Sequence, residues 1–383
     1  MSPETFDYII AGGGLAGLSL AHRINRSSLR DKRLLIIDRE EKSSNDHTWC
    51  FWSEGSFGFE EVVFHRWKKL GFYGAAGGAL SMDIGAEGLE YQMVRASDLY
   101  AHVIPKLNEN PFVTFFKADI LEVRNGEVET SEGVFEAREF VFDSVTLPAY
   151  DVPRDHNLLQ HFLGWKIETD EDLFDPSQAT LFDFRVPQFG ECRFVYVLPV
   201  SPREALVEFT LFSGSLLAED EYETNLKDYI GKTLGVTRYR ITQVEAGVIP
   251  MSDALHDQRP SPKIVRIGTA GGWVKPSTGY SFAPTQQRSE AIVRALESGS
   301  TVPHFGSRWK SFLDSVLLDV LEKGDPPAAE VFARLFGKNS PGEVLRFLDE
   351  STSVTGDLRL MSTVELHPFT RSALSQVARR LRR

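Results

Sequence analysis

The chain has 383 residues, with 54 acidic against 42 basic side chains and a formal net charge of −12. That length holds two domains, or one domain carrying a large insertion, and the acidic balance lacks the basic footprint that nucleic acid demands. Two cysteines, Cys50 and Cys192, allow neither a disulfide framework nor a CxxC metal site, and without His/carboxylate ligand spacing no metal is expected.

Residues 1–5 are a short polar lead without signal-peptide character, and no run of 18 apolar residues occurs, so no bilayer span is expected. Residues 6–10 read as a buried strand, 12–14 as a tight turn, 15–26 as a helix and 33–38 as a second buried strand. This order opens a doubly wound parallel sheet. Residues 43–58 are polar and aromatic without a clear period and read as a loop. Ser97 is placed to N-cap a helix reaching Lys106. Short strands are expected at 112–119, 120–124, 127–130, 134–137 and 139–143. A β-rich stretch follows from about 160 to 212, with strands at 180–186, 192–200 and 205–211. Residues 219–233 read as an amphipathic helix, 263–268 as a buried strand, 286–298 as a helix and 309–383 as mostly helical. The expected division is a discontinuous nucleotide-binding domain (1–75, 92–150, 240–300), a β-rich substrate domain (76–91, 151–239) and a helical C-terminal region (301–383). The 27 phenylalanines fit either an aromatic core or a large apolar cavity.

Gly12, Gly14 and Gly17 make G-x-G-x-x-G directly after a strand and at the start of a helix, and Asp38 closes the next strand 21 residues beyond Gly17. In that context the motif is a dinucleotide fingerprint. Gly12 permits the turn, Gly14 lets backbone approach a pyrophosphate, and Gly17 lets helix and strand pack closely. The helix start at Leu15 and Ala16 offers N–H groups and a positive dipole end. Asp38 accepts from a ribose, and Arg39 follows it. A second glycine-rich stretch, 268–272, leads to Pro276, Gly279 and Tyr280. Such a late strand–loop–helix return serves the flavin end of FAD, and a plain NAD dehydrogenase does not need it. Flavoproteins of this build commonly carry Gly-Asp where this chain has Gly268 and Thr269.

Several segments resemble the lycopene cyclases, FAD-dependent enzymes that close the ionone rings of carotenoids. The stretch 7–17 (DYIIAGGGLAG) with Asp38 is shared with many flavoproteins, whereas 46–51 (DHTWCF) is more specific. Residues 193–199 (RFVYVLP), followed by Leu206, Val207 and Glu208, resemble the strand pair that leads to the family's essential glutamate. Asp183 in LFDFRV, 247–251 (GVIPM) and 276–281 (PSTGYS) complete the set. The resemblance spans roughly 5–300 and continues more weakly through 346–352. Family members tend to carry a second acid after the glutamate; this chain has Phe209.

The resemblance implies an α/β fold with a glutathione-reductase-type FAD domain, an inserted β-rich substrate domain and C-terminal helices. It implies a cyclising isomerase without net redox change. The cofactor would be reduced FAD, with NAD(P)H only as its reductant, and the substrate lycopene or a related acyclic carotenoid. Glu208, helped by Asp183, would protonate a terminal double bond. The cation would be attacked by an internal double bond, and loss of a ring proton would leave a β-ionone ring. A carboxyl kept neutral near pH 7 needs an apolar site. Glu208 is flanked by Leu206, Val207, Phe209, Leu211 and Phe212, and strand alternation puts Leu206 and Thr210 on its face. The residues alone leave two readings, a buried proton donor or an edge-strand charge. His47, Trp49, Phe51 and Phe209 are expected to line a dry aromatic cavity that protects a cation, or, for the aromatics of 47–51, to plug the sheet. Tyr280 is expected beside the flavin ring and Arg95 at the cofactor. A flavin monooxygenase, an isoprenoid reductase and a non-catalytic carotenoid carrier are the other readings.

A bilayer-dissolved substrate implies a membrane surface as partner, and no obligate protein partner. Residues 371–383 carry five arginines and no acid, with Leu374, Val377, Ala378 and Leu381 at helical spacing. This is a basic amphipathic helix suited to an anionic surface, or a solvated tail. Residues 309–321 are a second candidate. The expected location is the cytoplasm, at the inner face of the cell membrane.

Overall fold

The computed structural model describes residues 3–150 and 155–381. Its first sheet has seven strands. Five of them run parallel in the order Val113–Lys117, Leu34–Asp38, Glu4–Ala11, Gly133–Asp143 and Ile264–Arg266. The hairpin Ile120–Arg124/Glu127–Thr130 adds antiparallel to the first half of Gly133–Asp143. The second half of Glu4–Ala11, residues 8–11, is an apolar run because both its faces are covered: Ile9, Ile10 and Ala11 are fully buried. Helices Leu15–Asn25, Ala96–Asn108 and Phe282–Glu297 pack on one side, around Tyr8, Leu18, Phe142 and Ile292.

The second sheet also has seven strands, in the order Arg240–Ser252, Asn157–Glu168, Glu204–Ser213, Cys192–Pro199, Gln178–Asp183, Lys69–Tyr73 and Ala79–Asp83. All pairs are antiparallel except Gln178–Asp183 with Lys69–Tyr73. Residues 69–73 and 240–252, expected in the nucleotide-binding part, therefore belong here. Arg240–Ser252 pairs along its length with Asn157–Glu168, and its alternating exposure marks an edge strand.

A third sheet, Thr48–Ser53, Glu90–Arg95 and Val63–Trp67, lies between the other two. The expected loop at 43–58 thus contains a strand; its alternation is hidden because both faces are covered, so polar and apolar residues do not separate. Ser97 is not an N-cap. The helix starts directly after the strand, with Arg95 at the cap, and the Ser97 N–H donates to Asn45 Oδ1.

The C-terminal region is helical as expected: Arg308–Lys323, Ala328–Lys338, Pro341–Leu348, Val354–Met361 and Leu366–Leu381. Phe332 and Phe336 pack on Phe72, Phe182 and Phe184 of the second sheet. The helix over 309–321 buries Leu313, Val316, Leu318 and Val320 inside the protein, so it offers no membrane face. Leu366–Leu381 does the reverse. It leaves Leu374, Val377 and Leu381 exposed and turns Arg380 inward over Phe312, while Arg379 pairs with Asp253. Arg382 and Arg383 lie outside the described residues. No helix among the described residues is long and apolar enough to cross a membrane.

Candidate active site

The glycine motif is built as its spacing requires. Gly12 has φ +103°, and a Cβ at Gly17 would stand 2.0 Å from the Gly12 carbonyl oxygen, so any side chain there drives helix and strand apart. Gly14 caps the helix with open space around it, no side chain caps the first N–H groups, and no acid sits in the first turn. Asp38 accepts from Gly13 N–H at 2.7 Å. Gly268, at φ +57°, brings the second glycine loop against Ala16: a Cβ there would lie 3.0 Å from that of Ala16. The helix Phe282–Glu297 likewise starts without a side-chain cap or an acid in its first turn. Two bare helix ends with glycine approaches fit a dinucleotide of pyrophosphate type, held by Gly12–Gly17, Asp38, Gly268, Thr269 and Gly279. Arg39 is solvated, with an Arg39–Glu40 pair at 3.6 Å. Arg95 is engaged by Asp98 at 2.7 Å and stacks on Phe64.

Glu208 occupies the middle of the second sheet. In register, Tyr196, Glu208, Gly164 and Glu245 form one cross-strand row on one face. Gly164 is the only member of that row without a side chain. A Cβ there would lie 3.2 Å from Glu245 Cγ and 3.4 Å from Glu208 Cβ, so its absence lets the two carboxyl groups meet. Thr210 donates to Glu208 Oε1 at 2.9 Å, as strand alternation predicts, and Thr48 donates to Glu245 Oε2 at 2.7 Å. Glu208 is surrounded by protein yet keeps some accessible surface. Burial, and then the neighbouring Glu245 charge, hold its carboxyl well above the usual range. Burial also raises Glu245, opposed by the Thr48 and Glu208 hydrogen bonds. Both carboxyls are thus raised, Glu208 the more strongly, so the two titrate as a pair.

The row is roofed by the third sheet. Thr48, Cys50 and Trp52 alternate toward it, whereas Trp49 and Phe51 point the other way, onto Phe282. Tyr91, Tyr196 and Tyr280 converge beside Cys50; the Tyr280 hydroxyl lies next to the other two without a well-formed hydrogen bond. Burial raises all four groups, so they are uncharged at neutral pH. Tyr280 and Trp52 also line an aromatic cavity of about 330 Å³ with Trp273, Phe282 and Arg288. Glu208 does not line that cavity; Tyr280 connects the two. Gly279 (φ +74°) packs onto Gln160, whose buried Oε1 lacks a partner.

Four sequence expectations fall elsewhere. Phe209 is fully buried on the opposite face of its strand, with Val207, Leu211 and Tyr229; adjacent strand residues point apart, so position 209 cannot share a proton with Glu208. Asp183 is held by Arg185 at 2.5 Å and by the Tyr229 hydroxyl at 2.6 Å, away from Glu208. His47 is exposed, stacked on Trp49. Trp49 faces the nucleotide side of the third sheet, whereas Phe51, on that same face, does line the aromatic cavity as expected. Sequence reading missed Glu245, Thr48, Cys50, Tyr91 and Tyr196. No local pattern pointed to Thr48 or Cys50, because residues 48–52 do not alternate polar and apolar side chains, and Glu245 gave no signal because its pairing is non-local.

The family model for lycopene cyclase proteins matches residues 7–374. A chloroplastic neoxanthin synthase of Solanum tuberosum is 27% identical over 322 residues, covering 76% of this chain and 61% of that protein. A lycopene beta-cyclase of Pantoea ananas is 25% identical over 308 residues, covering 74% and 72%. The chain thus spans less than two thirds of the plant relative. Among solved structures, a geranylgeranyl bacteriochlorophyll reductase-like protein from Thermoplasma acidophilum superposes with TM-score 0.62 at 14% identity, covering 97% of this chain and 99% of that one. A probable FAD-dependent monooxygenase from Pseudomonas aeruginosa gives 0.58 at 14%, covering 84% and 98%. The fold is that of FAD-dependent enzymes.

Proposed function

The chain belongs to the lycopene cyclase protein family, and from that premise we propose that it cyclises the ends of an acyclic carotenoid such as lycopene to β-ionone rings, with FAD bound in the nucleotide site. The observation that carries this reading is Glu208: a carboxyl held well above its usual range by burial in the middle of the second sheet, with Tyr280 between it and an aromatic chamber. Glu208 gives its proton to the terminal double bond. The tyrosine and tryptophan rings around it offer negative π faces to the cation and keep water out. The reaction leaves no net redox change. When bound and reduced by NAD(P)H, the flavin supplies negative charge near the cation.

Access from a bilayer fits the exposed row Leu374, Val377 and Leu381. Its helix is tied by Arg379 to Asp253 and by Arg380 to the Arg308 carbonyl, and Asp253, Arg308 and the exposed Leu255 all line the cavity. A helix that carries an exposed apolar row and is tied to the cavity lining is suited to peripheral contact with a membrane.

Anaerobic incubation of the purified protein with chemically reduced FAD and lycopene in liposomes tests the reading. A ringed isomer of unchanged mass is expected, and Glu208→Gln should abolish it. Hydrogenated or hydroxylated pigment would instead indicate a reductase or monooxygenase. Binding without conversion, indifferent to Glu208→Gln, would indicate a carrier.

A further inference from the structure

Glu245 has no part in the proton donation above, yet the fold places it with care. Gly164 is kept bare between it and Glu208, and Thr48 fixes its outer oxygen. A second, narrow cavity of about 30 Å³ reaches Glu245 from the opposite side, past Asn45, Arg95, Lys166 and Gln243. Glu208 does not line it. One carboxyl thus lies on the aromatic side and the other borders a narrow cavity lined by the apolar Phe64, Met93, Val200 and Leu206 as well as by polar side chains.

We propose that Glu245 is the positioning partner of Glu208, a carboxylate that keeps the Glu208 proton in place and exchanges it with solvent through the narrow channel. This rests on Glu208 being the proton donor. The balance closes. The Glu208 O–H breaks and a C–H bond forms at the terminal alkene carbon, leaving two carboxylates beside one cation. The second negative charge stabilises that cation in a dry site. When the ring C–H breaks and its electrons form the new double bond, the proton returns to the carboxyl pair, so none is consumed.

The other groups facing the pair do not replace Glu245 in this role. Cys50 and Thr48 come from the third sheet's first strand, Tyr91 from its middle strand, Tyr196 from the adjoining strand of the second sheet, and Tyr280 from the glycine loop. None is an anion at neutral pH. The nearby basic side chains Lys166 and Arg95 are engaged elsewhere, with Glu204 at 3.3 Å and with Asp98 at 2.7 Å, while His47, beside Asp46 at 3.3 Å, also bears on Glu245.

Glu245→Gln keeps the shape and removes the charge. Losing the like charge lowers the Glu208 pKa, so the alkaline limb of the holoenzyme's kcat–pH profile should move to lower pH. Turnover near neutrality should fall about tenfold and recover in more acidic buffer. Infrared titration of the protein reads the same group without turnover: a protonated-carboxyl band, absent from Glu208→Gln, should lose its proton at lower pH in Glu245→Gln. Gly164→Ala keeps both acids and wedges a methyl group between them; it should shift the same way, by less. An unmoved limb and band, with only a uniform loss of rate, would overturn the proposal and leave Glu208 as donor. Turnover surviving in Glu208→Gln would instead overturn the reading beneath it.

Discussion

Glycines serve opposite purposes in the two halves of this molecule. At Gly12, Gly17 and Gly268 the missing side chain lets backbone or helix approach backbone, and the space so made fits a phosphate-bearing cofactor. At Gly164 the missing side chain lets two other side chains meet across it. The first arrangement is largely local at Gly12 and Gly17, a strand and the helix that follows it, to which Gly268 adds a distant loop against Ala16. The second needs three strands, Asn157–Glu168, Glu204–Ser213 and Arg240–Ser252, in one register. A one-residue slip would send the acids to opposite faces.

The comparison can be broken at its ends. Gly17→Val should be the most damaging change, since its side chain starts inside the Gly12 carbonyl; no flavin should copurify by absorbance, and little folded protein should be recovered. Glu208→Gln should do the opposite. It should retain flavin fully by titration while turnover falls by roughly 10²–10⁴-fold, the usual reach of general acid catalysis.

Asp183→Asn sharpens the comparison further. The buried carboxylate holds Arg185 and Tyr229, so its loss should cost about 2 kcal/mol in denaturant unfolding, less than a fully buried pair because Arg185 is a third exposed. kcat per folded molecule should not change. A large loss of kcat at unchanged stability would return Asp183 to the chemistry.

The smallest effect is a gain. Glu208 has a raised pKa in the folded state, so its favourable contribution is complete below the unfolded value, near 4.5, and is lost as pH rises through the folded value. Glu208→Gln should therefore be more stable than the wild type near neutral pH, by about 1 kcal/mol, and the difference in Tm should close in acid. Equal pH dependence of the two proteins would mean that the carboxyl is not held neutral.

Much of the nucleotide half was legible. Phe6, Ile9 and Ile10, the glycine spacing and Asp38 each act within a few residues of themselves, and the structure keeps the expected strands and helix within about two residues. The half that carries the candidate acid was legible only in part. Glu208 and Thr210 were found on one face by alternation, and their 2.9 Å hydrogen bond agrees. Phe209 and Asp183 were misplaced because resemblance gives a residue's neighbourhood in sequence, not the direction of its side chain.

By itself the sequence determined the cofactor fold and the one apolar strand that carries an acid, because helix dipoles, tight turns and period-2 alternation are local physics. Only the tertiary structure decided that the acid's partner is Glu245 across Gly164, that Thr48 and Cys50 roof it, and that Leu374, Val377 and Leu381 face outward. Those facts depend on which strands and helices lie side by side, and the free energy that chooses neighbours is summed over the whole core rather than written in any one segment.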